Sequence, residues 1–184
     1  MHSYTDSIKI AGIEILSDLG KFTATSYWED GPSGYLINRA KRVGLEVSVD
    51  QWGNVLAVKP GSDPNAEGIA FVAHMDHPGY EVVAQQGDQL VLKTLGGIGI
   101  AAGRNGAEIL VIDASGRRII ATVVGAEKAE GNFQRSRESA GWLGTDTVYA
   151  QLSSDHDLGV LPVPAVPNLP DFIIDNDLVR MRAA

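Results

Sequence analysis

The strongest constraint on the fold is a change of character within one stretch, Ile69 to Val83, IAFVAHMDHPGYEVV. It starts as an unbroken apolar run, Ile69-Ala70-Phe71-Val72-Ala73, which predicts a strand buried on both faces of a sheet. It then breaks into His74, Asp76 and His77, and Pro78-Gly79 stops the same element from continuing. In open α/β sheets, ligands collect beyond the carboxyl ends of strands, because helix packing leaves a crevice there. Three side chains able to bind metal or move protons therefore fall where a site is expected. Two of the chain's four histidines lie in this cluster.

Composition narrows the chemistry. The chain of 184 residues has no cysteine, so a metal here must be held by His, Asp and Glu. A chain of this length can bury a core without covalent staples. The net charge of -8 argues against a nucleic-acid partner, which calls for a basic patch. No stretch approaches the roughly 20 apolar residues of a membrane span. The first residues, MHSYTDSIKI, lack the basic start and apolar centre of a signal peptide. A soluble, cytoplasmic protein with no membrane partner is expected.

In chain order, Ile8, Ala11, Ile15, Leu16 and Leu19 follow helical spacing up to Gly20. A polar loop with Tyr27 and Trp28 leads to a second helix, signalled by Pro32, faced by Leu36, Ala40 and Val43, and ended by Gly44. Leu45–Val49 and Val55–Val58 read as strands around the turn Asp50-Gln51-Trp52-Gly53-Asn54. From Gly79 onward the period changes. Glu81–Val83, Gln89–Leu92, Ala107–Ile112, Arg118–Val124 and Thr147–Leu152 are short β-branched runs, which predict a small barrel or sandwich. Between the last two, Ala126–Gly144 is a long polar loop carrying Lys128, Arg135 and Arg137. Val160–Pro170 holds four of the eight prolines and is expected to be an extended, irregular exit. Asp171–Arg182 reads as a short return segment.

Other motifs carry less. Gly97-Ile98-Gly99-Ile100-Ala101-Ala102 matches a dinucleotide fingerprint, but Gly103-Arg104-Asn105-Gly106 follows at once and leaves no room for the helix that would bind pyrophosphate. His2 is terminal, and His156 sits in Ser154-Asp155-His156-Asp157, which reads as a solvated acidic loop. Trp52 reads as a core residue. His74 and Asp76 are left as the strongest pair: imidazole is a good ligand for zinc and its neighbours, and a carboxylate two residues away can orient it. A catalytic metal wants three protein groups and an open position, so this cluster is only part of a site.

At this point the residues carry a family likeness. Asp50-Gln51-Trp52-Gly53-Asn54-Val55-Leu56-Ala57 and Ala73-His74-Met75-Asp76-His77-Pro78-Gly79 resemble the metallopeptidases with two co-catalytic metals. The likeness is to the branch of tetrahedral, deblocking and glutamyl aminopeptidases. Its pattern is a strand turn "D-x-x-G-N", then "A-H-M-D-x-x-G" closing a core strand, then an inserted β-barrel.

The resemblance implies an α/β sandwich core with an inserted small β-barrel: residues 1–78 for the first part of the core, 79–170 for the barrel and 171–184 for the return. It implies two divalent metal ions, zinc or cobalt, with His74 as a ligand and Asp76 as the carboxylate that orients it and serves catalysis. Peptides would be the substrates, cut after their N-terminal residue, and the barrel would mediate homo-oligomer formation. A glutamate is commoner where His77 stands, so the role of His77 stays open. The bridging aspartate, the paired glutamates with the general base, and the second histidine of that pattern are expected beyond Ala184, so this chain is read as an N-terminal portion, inactive alone. Two other readings stand beside this one. One is a metallo-β-lactamase type, whose H-x-H-x-D-H places Val72 where its first histidine should be. The other is a non-catalytic assembly module with a vestigial site.

Overall fold

The computed structural model describes residues 4–99, 103–127, 147–168, 172–175 and 178–181. Two helices come first, α1 (Tyr4–Leu19) and α2 (Asp30–Arg42). Helix α2 carries Pro32 in its first turn, where a missing N–H costs nothing. It ends at Gly44, whose φ of 78° lets Leu45 N–H reach Ala40 O and Gly44 N–H reach Lys41 O. Those two bonds satisfy carbonyls that the helix end would otherwise orphan. Val43, expected on the buried face, is exposed.

Strands β1 (Glu46–Val49) and β2 (Val55–Val58) form an antiparallel hairpin. Its turn explains the D-x-x-G-N pattern physically. Asp50 Oδ1 accepts from Trp52 N–H at 2.8 Å and from Asn54 N–H at 2.9 Å, while Asn54 Nδ2 donates to Asp50 Oδ2 at 2.8 Å. Gly53 takes the left-handed conformation, φ 88°, that this turn requires. Trp52 is therefore not a core residue. It stands at the tip of the turn, 81% exposed.

The remainder of the described chain is dominated by a closed six-stranded antiparallel barrel. Its strands are β3 (Gly79–Gln86), β4 (Gln89–Leu95), β5 (Glu108–Ile112), β6 (Arg118–Ala126), β7 (Thr147–Leu152) and β8 (Val163–Pro167), in the order β3-β4-β7-β6-β5-β8. Alternation puts Tyr80 and Val82, Leu90 and Leu92, Ile109 and Val111, Ile119, Ala121 and Val123, and Val148 and Ala150 into one interior. Each fully buried Val, Leu or Ile side chain there stabilises by about 1.5–3 kcal/mol. Register shifts at Val82/Ala84 and Val123/Gly125 push Val83 and Val124 outward and supply the bending that closure needs.

The proline-rich stretch, expected to be an irregular exit, contains the closing strand. Pro164 lies opposite Glu81 of β3, and Pro167 lies opposite Ile109 of β5. Each proline thus has a paired residue on one flank only, which tolerates the absent N–H. The loop before β8 is also ordered by contacts. His156, read as solvated, is half-buried with Nε2 2.8 Å from Asp113 Oδ2, and Gln85 donates to its carbonyl and accepts from Leu158 N–H. Asp113 Oδ1 accepts from Ser115 N–H, Ser115 Oγ–H and Arg117 N–H, which locks the turn between β5 and β6.

Strands β9 (Phe172–Asp175) and β10 (Leu178–Met181) pair with each other as a second hairpin. Most of the long loop with Lys128, Arg135 and Arg137 lies outside the described residues, as do Ile100–Ala102 of the glycine motif. Just after that motif, Gly103 N–H donates to Gly99 O at 3.1 Å. No helix among the described residues is long and apolar enough to cross a membrane.

The largest difference from expectation is Ile69–Ala73. Among the described residues no strand pairs with it, and Ile69, Phe71 and Val72 are 84%, 95% and 94% exposed. An apolar run becomes a buried strand only when ladders and covering layers exist on its flanks, and among the described residues neither is present.

Two measurements follow from the barrel. Tyr80 is fully buried, its hydroxyl has no hydrogen-bond partner among the described residues, and burial pushes the phenol's pKa upward. Tyr80→Phe removes that unsatisfied group and is expected to stabilise the barrel by about 1 kcal/mol in denaturant unfolding. Asp113 is held well below the usual carboxylate range, first by the Ser115 hydroxyl and then by His156. Its contribution is present above the unfolded value of about 4 and is lost as pH falls through the folded one. Asp113→Asn should therefore lower stability at neutral pH and flatten the decline in stability below about pH 4.

Candidate functional site

His74, Asp76 and His77 lie on the extended segment that runs directly into β3. The amino-terminal part of that segment is unpaired, but its carboxyl-terminal end is latched to the loop after α1. His77 N–H donates to Ala24 O at 2.8 Å, and Ala24 N–H donates to His77 Nε2 at 3.3 Å. With Nε2 accepting, Nδ1 carries the proton and faces Pro78 O at 3.3 Å. Both ring nitrogens of His77 are thereby turned to backbone. These bonds latch the segment to the loop after α1.

His74 is placed differently. Its side chain is 81% exposed, and Nδ1 lies 3.0 Å from Asp76 Oδ1 and 2.8 Å from Asp76 O. A carboxylate and a carbonyl only accept, so Nδ1 carries the proton and the Nε2 lone pair is free to face outward. Asp76 is 30% exposed and accepts through both oxygens, Oδ2 receiving the Ser26 hydroxyl at 2.6 Å. That hydroxyl, opposed by partial burial and helped by His74, holds the Asp76 carboxyl below its ordinary pKa.

This arrangement suits a metal ligand and its orienter: the tautomer is fixed, the ring is aimed, and the donor nitrogen is accessible. It is not a complete centre. Among the described residues no group of three or more His, Asp or Glu side chains is placed to hold a metal ion. The residues present fit one ligand position.

Sequence reasoning missed Ser26. It sits 50 residues before Asp76, in a loop without periodicity, and no local pattern links the two.

No family model matches the sequence, and no curated protein matches it. Solved structures do resemble it. A TET aminopeptidase from a marine sediment Thaumarchaeota archaeon superposes with a TM-score of 0.65 at 19% identity, over 95% of this chain and 48% of that one. An aminopeptidase from the archaeon Desulfurococcus kamchatkensis gives 0.66 at 19% identity, over 87% and 44%. The TET1 peptidase of Pyrococcus horikoshii, which can assemble into a tetrahedron or a large octahedral shell, gives 0.62 at 21% identity, over 89% and 48%. The chain shares its fold with these structures and spans about half the length of each.

Proposed function

We propose that this chain carries part of the catalytic apparatus of a metal-dependent aminopeptidase that removes the N-terminal residue of peptides. The observation that carries the reading is the His74–Asp76 pair, with Nδ1 bound and Nε2 free, at the point where the chain runs into the barrel. The fold shared with TET aminopeptidase structures supports it. Residues 1–78 then belong to an α/β sandwich core, 79–170 to the barrel module and 171–184 to the return toward the core.

In this reading His74 holds one of two divalent ions, zinc or cobalt, through Nε2. Asp76 fixes the imidazole tautomer and aim, and raises the basicity of the ligating nitrogen. Bound divalent ions supply Lewis acidity, polarising a scissile carbonyl and lowering the pKa of water. The other ligands and the carboxylate that moves the proton are residues other than His74 and Asp76. A homo-oligomer assembled through the barrel is part of the same proposal, as is a cytoplasmic location.

The complete protein provides the test. His74→Ala should lower the metal stoichiometry and abolish most peptidase activity, whereas Asp76→Asn should retain metal with an affinity or rate reduced about 10–100-fold. Metal content by mass spectrometry and hydrolysis of chromogenic aminoacyl substrates read the two effects. If His74→Ala keeps its full metal content and rate, His74 is not a ligand.

A further inference from the structure

The loop between α1 and α2 does more than connect the helices. Its backbone is fastened to the barrel end at several points. Arg118 Nη2, from β6, donates to Lys21 O at 2.7 Å. Ala24 is latched to His77 by the two bonds already described. Thr25 is fully buried, and its Cγ2 occupies the space that a side chain on Gly79 would need. Directly after these anchors the chain makes a tight turn, with Trp28 N–H donating to Thr25 O at 2.9 Å. Tyr27, at its third position, takes a φ of 74°, a conformation that a bulky residue rarely adopts. That strain is held in place by the surrounding bonds. The residue displayed by the anchored turn is Ser26, whose Oγ–H reaches Asp76 Oδ2 at 2.6 Å.

We infer that Ser26 is a positioning residue for the metal ligand, passing the barrel's alignment through Asp76 to His74. The inference rests on the metal-ligand reading of His74. Asp76 has one oxygen for the imidazole, 3.0 Å away, and one for the hydroxyl, so its carboxylate plane is fixed at both ends. Without the hydroxyl the carboxylate can rotate about its own side-chain bonds, and His74 Nδ1 keeps only the carbonyl of Asp76, at 2.8 Å, as a fixed acceptor. The imidazole then samples more orientations before a metal binds, and that ordering cost appears as weaker affinity. Outer partners of metal ligands typically contribute about 10–100-fold. Ser26 acts one bond further out, so an effect of about tenfold is expected.

The test is a double-mutant cycle on the complete protein, reading zinc and cobalt affinity by calorimetry against a competing chelator. Ser26→Ala should weaken binding about tenfold, at the lower end of the outer-partner range. Ser26→Thr, which keeps a hydroxyl, should bind like the parent. In an Asp76→Asn background Ser26→Ala should cost nothing further, because the path through the carboxylate is already broken. The melting temperature, followed alongside, separates positioning from simple loop stability, since a purely structural role would move it and leave affinity unchanged. If His74→Ala abolishes binding while Ser26→Ala leaves it intact, the positioning role is wrong and the ligand assignment stands. Fully additive losses in the cycle also overturn the role, since Ser26 would then not act through Asp76. If His74→Ala leaves affinity unchanged, the ligand assignment itself fails, and the role of Ser26 with it.

Discussion

Ala165 is the residue through which the barrel closes, opposite Tyr80 of β3 on one flank and Val111 of β5 on the other. Its carbonyl oxygen lies only 2.8 Å from where a Cβ on Gly79 would stand, and the Thr25 side chain fills the rest of that space. Closure therefore requires glycine at the first residue of β3, which fixes where the preceding segment must enter. The latch at His77 and the carboxylate of Asp76 are set within three residues of this point. A side chain at Gly79 would have to push away both the closing strand and the loop that bears Ser26. The barrel thus acts on the candidate site as a rigid rim from which the segment bearing His74 is hung.

Burial is distributed very unevenly. The barrel has a continuous interior of fully buried Val, Leu and Ile side chains. The segment before it and the β1–β2 hairpin leave Ile69, Phe71, Val72, Trp52 and Leu56 in solvent. Local opening free energy follows buried apolar contact, so the barrel is the stable unit and the segment bearing His74 is ordered mainly at its barrel end. One backbone–backbone bond and one backbone-to-imidazole bond at Ala24–His77, with one side-chain bond at Ser26–Asp76, define that order.

Much of the barrel was legible in the chain because half-buried strands alternate, and the runs around Leu90, Ile109, Ile119 and Val148 do so. β8 was not, since proline normally marks the end of pairing, and only the one-sided partners of Pro164 and Pro167 make them acceptable. Ile69–Ala73 failed for the opposite reason: composition states what a segment would bury, while burial depends on what lies beside it. Trp52 and His156 show the same limit in both directions, one exposed by the turn that carries it and one drawn down by Asp113. His74 and Asp76 stood out by spacing, and the structure joins them by a hydrogen bond. Ser26 could not stand out, because its significance is a contact across 50 residues of chain.

The most direct measurement is anomalous diffraction at the zinc edge from crystals of the complete protein grown with zinc. The expected result is a peak about 2.0–2.1 Å from His74 Nε2, with Nδ1 still bonded to Asp76. A metal bound through Nδ1, with Asp76 displaced, would contradict the orienting role of the carboxylate. A fully occupied metal centre remote from His74 would contradict the site itself.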